Sequence, residues 1–366
     1  MKRRNVIKGL GALGTLSALP GLAGAVGKGG GQLQVLFMGG TGFIGPHMVQ
    51  ALLDQGHAVT LFNRGKSSPG LFDNLERIKG DRLSDDIEQL RGRSWDVVID
   101  TSCYVPRAVT RLMSVLDHSS LQQYVFISTI SVYADFSRPG ITEDSPTATM
   151  PDPSSEDVNA WYGALKVLCE DAANEALPGK VTAIRCGLIV GPRDHTDRFT
   201  YWPERVFRGG DVLAPGTVAS PLQTLDARDL AQWVAHCVRQ QVMGTFNATN
   251  NSGNTFGDLL TLSQQELNPA AQLSWVPDDF LLEQGLQQMS DLPFWAAATG
   301  PYAGVWQVNA DKATAAGLRH RPLRDTIIDT HEWIQAQPAT RREPLRAGIP
   351  AQRESEVLAA WHAKSG

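Results

Sequence analysis

The chain has 366 residues and a formal net charge of −5 at pH 7, with enough apolar residues (42%) for a large core and an added lobe. That acidic balance argues against a partner gripped through its phosphate backbone, so no nucleic-acid partner is expected. Cys103, Cys169, Cys186 and Cys237 have neither zinc nor redox spacing. They read as buried free thiols, with one disulfide open in an oxidising compartment.

The first segment, Met1-Lys2-Arg3-Arg4-Asn5-Val6-Ile7-Lys8, is basic. A mildly apolar stretch from Gly9 to Ala25 follows, ending in the small residues Ala23-Gly24-Ala25. A basic start, a short apolar run and a small-residue cleavage site describe a secretory signal over residues 1–25. The paired arginines resemble a bacterial twin-arginine signal, although Lys2 stands where a serine or threonine often precedes the pair. Export to the periplasm by the twin-arginine machinery is the expectation. Cleavage after Ala25 removes four cations and takes the charge from −5 to about −9. The segment is too short and too glycine-rich for a membrane span, and no later stretch reaches spanning length uncharged. Residues 26–33 read as a glycine-rich linker.

Short apolar strands then alternate with helical patterns, the signature of an α/β fold with a parallel, doubly wound sheet. Strands are predicted at Gln34–Met38, Ala58–Phe62, Val97–Asp100, Tyr124–Ser128, Val181–Gly187 and Gly244–Asn247. Helices are predicted at Phe43–Gln55, Val105–Leu116 and from about Asp157 to Ala176. Residues 34–190 form the expected dinucleotide-binding domain, to which 222–249 return, with both Leu222–Asp229 and Gly244–Asn247 expected in the main sheet. A smaller, discontinuous C-terminal lobe takes 191–221 and 250–340. Residues 341–366 form a tail with one amphipathic helix, Ile349 to about Ala363, carrying Val357, Leu358 and Trp361.

The chemistry begins at Gly39-Gly40-Thr41-Gly42-Phe43-Ile44-Gly45, between the first strand and the first helix. There, free backbone N–H groups and the positive helix end face a pyrophosphate. Gly39 permits the turn, Gly42 the approach of phosphates, and Gly45 close helix–strand packing. Further on, Tyr162 and Lys166 stand four apart and project from one helix face. A phenol titrates near about pH 10, and a neighbouring ammonium favours its ionised form, so the pair suits acid–base work on a hydroxyl or carbonyl. Upstream, Ser128-Thr129-Ile130-Ser131-Val132-Tyr133 carries hydroxyls at the carboxyl edge of a strand, where α/β ligands bind.

Together with Arg185-Cys186-Gly187-Leu188-Ile189-Val190-Gly191-Pro192, these motifs resemble extended short-chain dehydrogenase/reductases, nearest to the NAD-dependent epimerase/dehydratase group. The likeness runs from about Leu33 to Thr249, and more loosely to Asp329. It implies Thr129 as the catalytic hydroxyl, Tyr162 as the acid/base, and Lys166 as the residue that binds the nicotinamide ribose and lowers the tyrosine pKa. It implies cofactor contacts at Gly39, Thr41, Gly42, Phe43, Ile44, Gly45 and Asp81, and a homodimer through the Tyr162 helix. The second strand departs from the pattern, ending in Asn63-Arg64 where NAD-specific members place an acidic residue. The cofactor is thus NAD or NADP, with Arg64 leaning to NADP. Asp100-Thr101-Ser102-Cys103-Tyr104 replaces the usual His-x-Ala-Ala, which marks an atypical branch, and some atypical relatives have drifted toward RNA binding.

Substrate contacts are expected from Ser131 and, after Gly191-Pro192, from His195, Arg198, Trp202 and Arg205, with Arg205 or Arg228 free for an anion. Trp295, Trp306 and Trp333 read as lobe core. The expected reaction is on a carbinol or carbonyl of a sugar-like substrate. Because no nicotinamide pool is expected outside the cytoplasm, a redox-neutral cycle with retained cofactor is favoured, with a plain NADPH-dependent carbonyl reductase or a non-catalytic ligand or RNA binder as alternatives.

Overall fold

The computed structural model describes residues 31–365, so the signal segment and most of the glycine linker lie outside the described residues. The strands are β1 (Gln34–Met38), β2 (Ala58–Asn63), β3 (Arg77–Lys79), β4 (Val97–Asp100), β5 (Gln123–Thr129), β6 (Val181–Cys186), β7 (Ile189–Val190), β8 (Asp211–Pro215), β9 (Leu225–Asp226), β10 (Gly244–Ala248) and β11 (Gln272–Val276). Seven of them form a parallel sheet in the order β3-β2-β1-β4-β5-β6-β10. This is a Rossmann-like, doubly wound α/β fold, and its strand order reverses between β1 and β4. A crevice opens beyond the carboxyl ends of the strands at that point.

The strands are apolar throughout because both faces are covered. Val35 and Phe37 of β1 point to one layer with Met48 and Leu52 of helix α1 (Gly45–Asp54). Leu36 and Met38 point to the other, with Leu112 of α2 (Pro106–Val115) and Leu165 of α3 (Val158–Ala176). Helix α1 begins two residues later than predicted, because Thr41–Ile44 stay in the turn and Pro46 opens the first helical turn. β3 is absent from the predicted strands, being a three-residue edge strand with one buried side chain.

Gly244–Ala248 joins the main sheet beside β6. Leu222–Asp229 does not. Only Leu225 and Asp226 are extended, and they pair with Ile189 and Val190 in a separate two-stranded ribbon. Asp226 then caps helix α4 (Ala227–Gln240), which packs Trp233 and Val234 against the sheet.

The lobe has its own core, built on Trp202, Phe256, Phe294, Trp295 and Trp306. Trp333 is outside it, half-buried under the Arg341 guanidinium, which stands 5.5 Å from the ring centroid. Trp202 and Arg205 do not meet a substrate. Trp202 is fully buried, with Nε1 donating to the Pro293 carbonyl at 2.8 Å. Arg205 is consumed by Glu354 of the terminal helix Ala351–Ser365, with Nε 2.6 Å from Oε2. The same carboxylate accepts from the Leu213 amide at 3.0 Å. Arg228 is likewise taken up by Asp226 and Asp329. All four cysteines are buried free thiols, and among the described residues no helix is long and apolar enough to cross a membrane.

Removing one partner of a buried ion pair strands the other in low dielectric. Glu354→Leu should therefore cost about 3–5 kcal/mol in urea denaturation, and the double variant Arg205→Met/Glu354→Leu should recover most of that loss.

Candidate active site

A cleft of about 830 Å³ runs along the carboxyl ends of the central strands, from the β2 terminus to the wall of the lobe. Its floor is the glycine turn. Gly39 has φ +114°, and its amide donates to the Phe62 carbonyl at 2.9 Å, tying the turn to β2. A Cβ on Gly45 would stand 2.6 Å from the carbonyl carbon of Gly40, so helix and turn touch through backbone alone. A Cβ on Gly42 would meet nothing within 4 Å, because that residue faces the open cleft. No side chain caps the amino end of α1. The donors of the turn and helix are thus presented to a ligand, and a cradle of this kind fits the pyrophosphate of a dinucleotide.

Asn63 does not offer its side chain to a ribose. Its Nδ2 donates to the Gly39 carbonyl at 2.7 Å and its Oδ1 accepts from the Gly65 amide at 3.0 Å, so it braces the turn. Arg64 and Lys66, beside it, are exposed at the cleft edge and hold no carboxylate among the described residues. Asp81 also lines this end, with Oδ1 receiving the Leu83 amide at 2.9 Å. Behind it lies an unforeseen group. Arg82 makes a bidentate pair with the buried Asp100 (2.6 and 2.7 Å), and Tyr124 donates to the same carboxylate at 2.7 Å. Burial opposes charge on Asp100, but the Arg82 guanidinium prevails and holds its carboxyl below the usual range. Gly80-Asp81-Arg82 and the polar end of β4 were the available signals.

At the middle of the cleft the structure brings together Thr129, Tyr162 and Lys166. Helix α3 is kinked at Trp161 (φ −128°, ψ 29°), one residue before Tyr162. It lies so close to the end of β5 that a Cβ on Gly163 would stand 2.0 Å from the Ser131 carbonyl oxygen. Lys166 is almost wholly buried, and its Nζ donates to the Ile127 and Cys103 carbonyls at 2.7 and 2.9 Å. An ammonium has three donors, so one remains. Burial lowers its pKa.

The phenol of Tyr162 behaves differently from the expectation. Burial dominates and pushes it up to about 12, while the nearby Thr129 hydroxyl and the charge of Arg198 favour the phenolate. Lys166 is turned to the two carbonyls, which take two of its three donors. Of the neighbouring hydroxyls, Ser128 donates to Glu170 beneath the cleft. Ser131 is exposed at the cleft wall and accepts from Thr129 Oγ1 at 3.1 Å. Tyr133 is bound to Arg185 and Asn247 and takes no part in the cleft.

The far wall combines His195, Thr196 and Arg198 with Met289, Tyr302, Val305 and Trp306 of the lobe. The His195 ring meets Phe43 of the glycine turn edge-on at 6.3 Å, which narrows the mouth. Arg198 donates through Nε to Thr196 Oγ1 at 3.1 Å. The described residues contain no cluster of His, Cys, Asp and Glu able to hold a metal ion.

The NAD dependent epimerase/dehydratase family model matches residues 35–249, more than half of the chain, and the protein belongs to that family. Solved structures with this fold include a UDP-glucose 4-epimerase (15% identity, TM-score 0.62, covering 84% of this chain and 98% of that one). Another is the UDP-glucuronic acid 4-epimerase from Bacillus cereus in complex with NAD (17% identity, TM-score 0.61, 82% and 98%). A third is the UDP-Glc/GlcNAc 4-epimerase of Campylobacter jejuni (14% identity, TM-score 0.63, 83% and 99%). Among curated proteins, the chloroplast stem-loop binding protein of 41 kDa b from Arabidopsis thaliana is 35% identical over 115 residues. That match covers 27% of this chain and only 30% of the relative's length.

The two glycines separate packing from binding. Gly45→Ala should lower the melting temperature, because Cβ collides with backbone that cannot move aside. Gly42→Ala should leave the melting temperature unchanged, yet weaken NAD binding in a titration by about tenfold or more, by crowding the phosphate face.

Proposed function

We propose that this protein is an NAD(P)-dependent enzyme of the short-chain dehydrogenase type that acts on a carbinol or carbonyl of a sugar-like substrate. The reading rests on one observation: Thr129, Tyr162 and Lys166 line the same cleft as the glycine turn. When bound, the dinucleotide supplies a carbon that accepts or returns hydride. Thr129 would orient the substrate oxygen, and Tyr162 would take or give its proton. The remaining donor of Lys166 suits a ribose hydroxyl of the cofactor. Two backbone carbonyls hold that ammonium in place, so its position costs no reorganisation during turnover.

Without cofactor the phenol is held protonated at neutral pH, since its pKa is pushed up to about 12 by burial. Base catalysis then requires added positive charge, and acid catalysis does not. The phenolate signal of Tyr162 should therefore appear only at strongly alkaline pH in the cofactor-free protein, and turnover in the oxidising direction should rise with pH. Tyr162→Phe should reduce turnover by at least about a thousandfold while NAD affinity changes little. Full activity in that variant would remove the assignment.

Arg64 and Lys66 support use of NADP, because both stand without a carboxylate partner at the end of the cleft where β2 lacks the ribose-binding acid. Arg64→Ala should weaken NADP binding about tenfold and leave NAD binding alone.

The twin-arginine-like start supports export to the periplasm as folded cargo carrying its cofactor, and hence a redox-neutral cycle such as epimerisation. Sequencing the mature amino terminus tests the export. Mass analysis of small molecules released from the purified protein tests the retained dinucleotide. Apo protein requiring added NADPH would favour an ordinary carbonyl reductase. The chloroplast relative is named for stem-loop binding, which supports capture of a folded RNA as a second reading. Salt-dependent RNA affinity that is unchanged in Tyr162→Phe would favour it.

A further inference from the structure

The arginines that are drawn into the sheet and the lobe mostly face carboxylates. Arg82 pairs with Asp100, Arg185 with Glu170, Arg205 with Glu354, Arg228 with Asp226, and Arg341 with Asp197. Arg198 departs from that pattern. It is partly buried in the cleft wall and its Nε is committed to Thr196; the buried Asp194 carboxylate, which holds Thr196, acts on it through charge, but no carboxylate lies within ion-pairing distance of it among the described residues. The terminal nitrogens of its guanidinium are left for something else.

The loop that carries Arg198 is built to hold it there. Asp197 has φ +60° and Arg193 φ +75°, left-handed conformations that branched and bulky residues avoid. The buried carboxylate of Asp197 receives Arg341 (2.6 and 3.0 Å) and the Arg346 amide at 3.0 Å. Thr196 in turn is bound through both its amide and its hydroxyl to Asp194, at 2.8 and 2.7 Å. A strap from the C-terminal tail thus fixes a strained loop, and the loop aims one unpaired cation at the chamber that contains Tyr162.

The electrostatics of the chamber point the same way. Asp81, at the opposite end, is the one carboxylate lining the cleft among the described residues. Arg82 is matched by Asp100, whereas Arg64, Lys66, Lys166 and Arg198 line the cleft without a carboxylate partner. The Arg64 and Lys66 end and the glycine turn belong to the dinucleotide. Arg198 lies at the other end, where its charge is felt by Tyr162, and apolar side chains of the lobe complete the wall.

Building on the proposed function, we infer that the substrate is an acidic sugar. Its oxyanion pairs with the terminal nitrogens of Arg198 while its carbinol faces Tyr162. Arg198 is then the residue that sets specificity. A partly buried guanidinium whose terminal nitrogens bond no carboxylate is unfavourable, and burial lowers its pKa by more than the charge of Asp194 raises it. An incoming oxyanion relieves that cost and gains two charge-assisted hydrogen bonds, which neutral sugars cannot offer. A carboxylate and a phosphate share this chemistry.

The test uses the full chain saturated with NAD, with galacturonate, galactose 6-phosphate and galactose as probes, each titrated calorimetrically. The inference requires at least one acidic probe to bind about tenfold or more tightly than galactose, and that preference to collapse in Arg198→Gln. Partial rescue in Arg198→Lys is also required, as is an NAD affinity unchanged in both variants. The stronger acidic probe identifies the oxyanion. Equal binding of acidic and neutral probes overturns the inference, as does a preference surviving in Arg198→Gln or no binding of any probe at millimolar concentration. Tyr162→Phe keeps the two readings apart. An acid preference intact in a Tyr162→Phe variant that has lost turnover supports both, while one intact beside unchanged turnover leaves the Arg198 site standing and removes the catalytic reading.

Discussion

Two backbone contacts without side chains determine where everything else in the cleft can stand. At Gly45 the first helix rests on the backbone of Gly40, and at Gly163 the third helix rests on the carbonyl of Ser131. A single methyl group at either place would lie at 2.6 or 2.0 Å from main-chain atoms, far inside contact distance. The first contact aims a helix terminus and its free N–H groups across the sheet crevice. The second brings Tyr162 to Thr129, with the kink at Trp161 giving the ring its direction. Neither contact involves a reacting group.

Beneath this geometry the charges fall into two sets. Ser128, Glu170, Arg185, Tyr133 and Asn247 form a continuous buried network that joins β5, α3, β6 and β10. Arg82, Asp100 and Tyr124 form a second such network at the end of β4. In both, charge is matched by charge, although Ser128 and Arg82 also border the cleft. Such networks fix the strand ends rigidly, since a partly satisfied buried network would cost more than an apolar one. The other set makes no ion pair: Lys166 donates to carbonyl dipoles with the Phe126 ring 4.1 Å from its Nζ, and Arg198 donates to a hydroxyl. The rigid set holds the other in place.

Much of this was legible in the residues. The strands Gln34–Met38 and Val97–Asp100 coincide with their predicted bounds, because buried parallel strands write themselves as unbroken apolar runs. The glycine turn and the Tyr162/Lys166 spacing were visible because each is local in sequence. What was not legible is mostly long-range. Nothing near Trp202 or Arg205 announces a partner at Pro293 or Glu354, so both resembled cleft residues while serving the lobe interior. Lys166 illustrates the same limit. Its spacing from Tyr162 suggests a mutual effect, yet the carbonyls of Cys103 and Ile127, far off in the chain, decide where the ammonium points.

The surplus of positive charge in the cleft also bears on how ligand and fold depend on each other. Four cations without a carboxylate partner line a chamber with one carboxylate, and their mutual repulsion is carried by the protein when the chamber holds no anion. A dinucleotide would bring its two phosphate charges to the glycine turn, between the Arg64 and Lys66 end and Lys166, and an oxyanion would serve the end with Arg198. Each relieves strain that the folded chain otherwise bears, so each binds the folded state in preference to the unfolded one and raises its stability by mass action. The same surplus explains why the strap through Arg341 is needed: without Asp197 pinned, a loop with two left-handed residues would relax, and Arg198 would swing toward water.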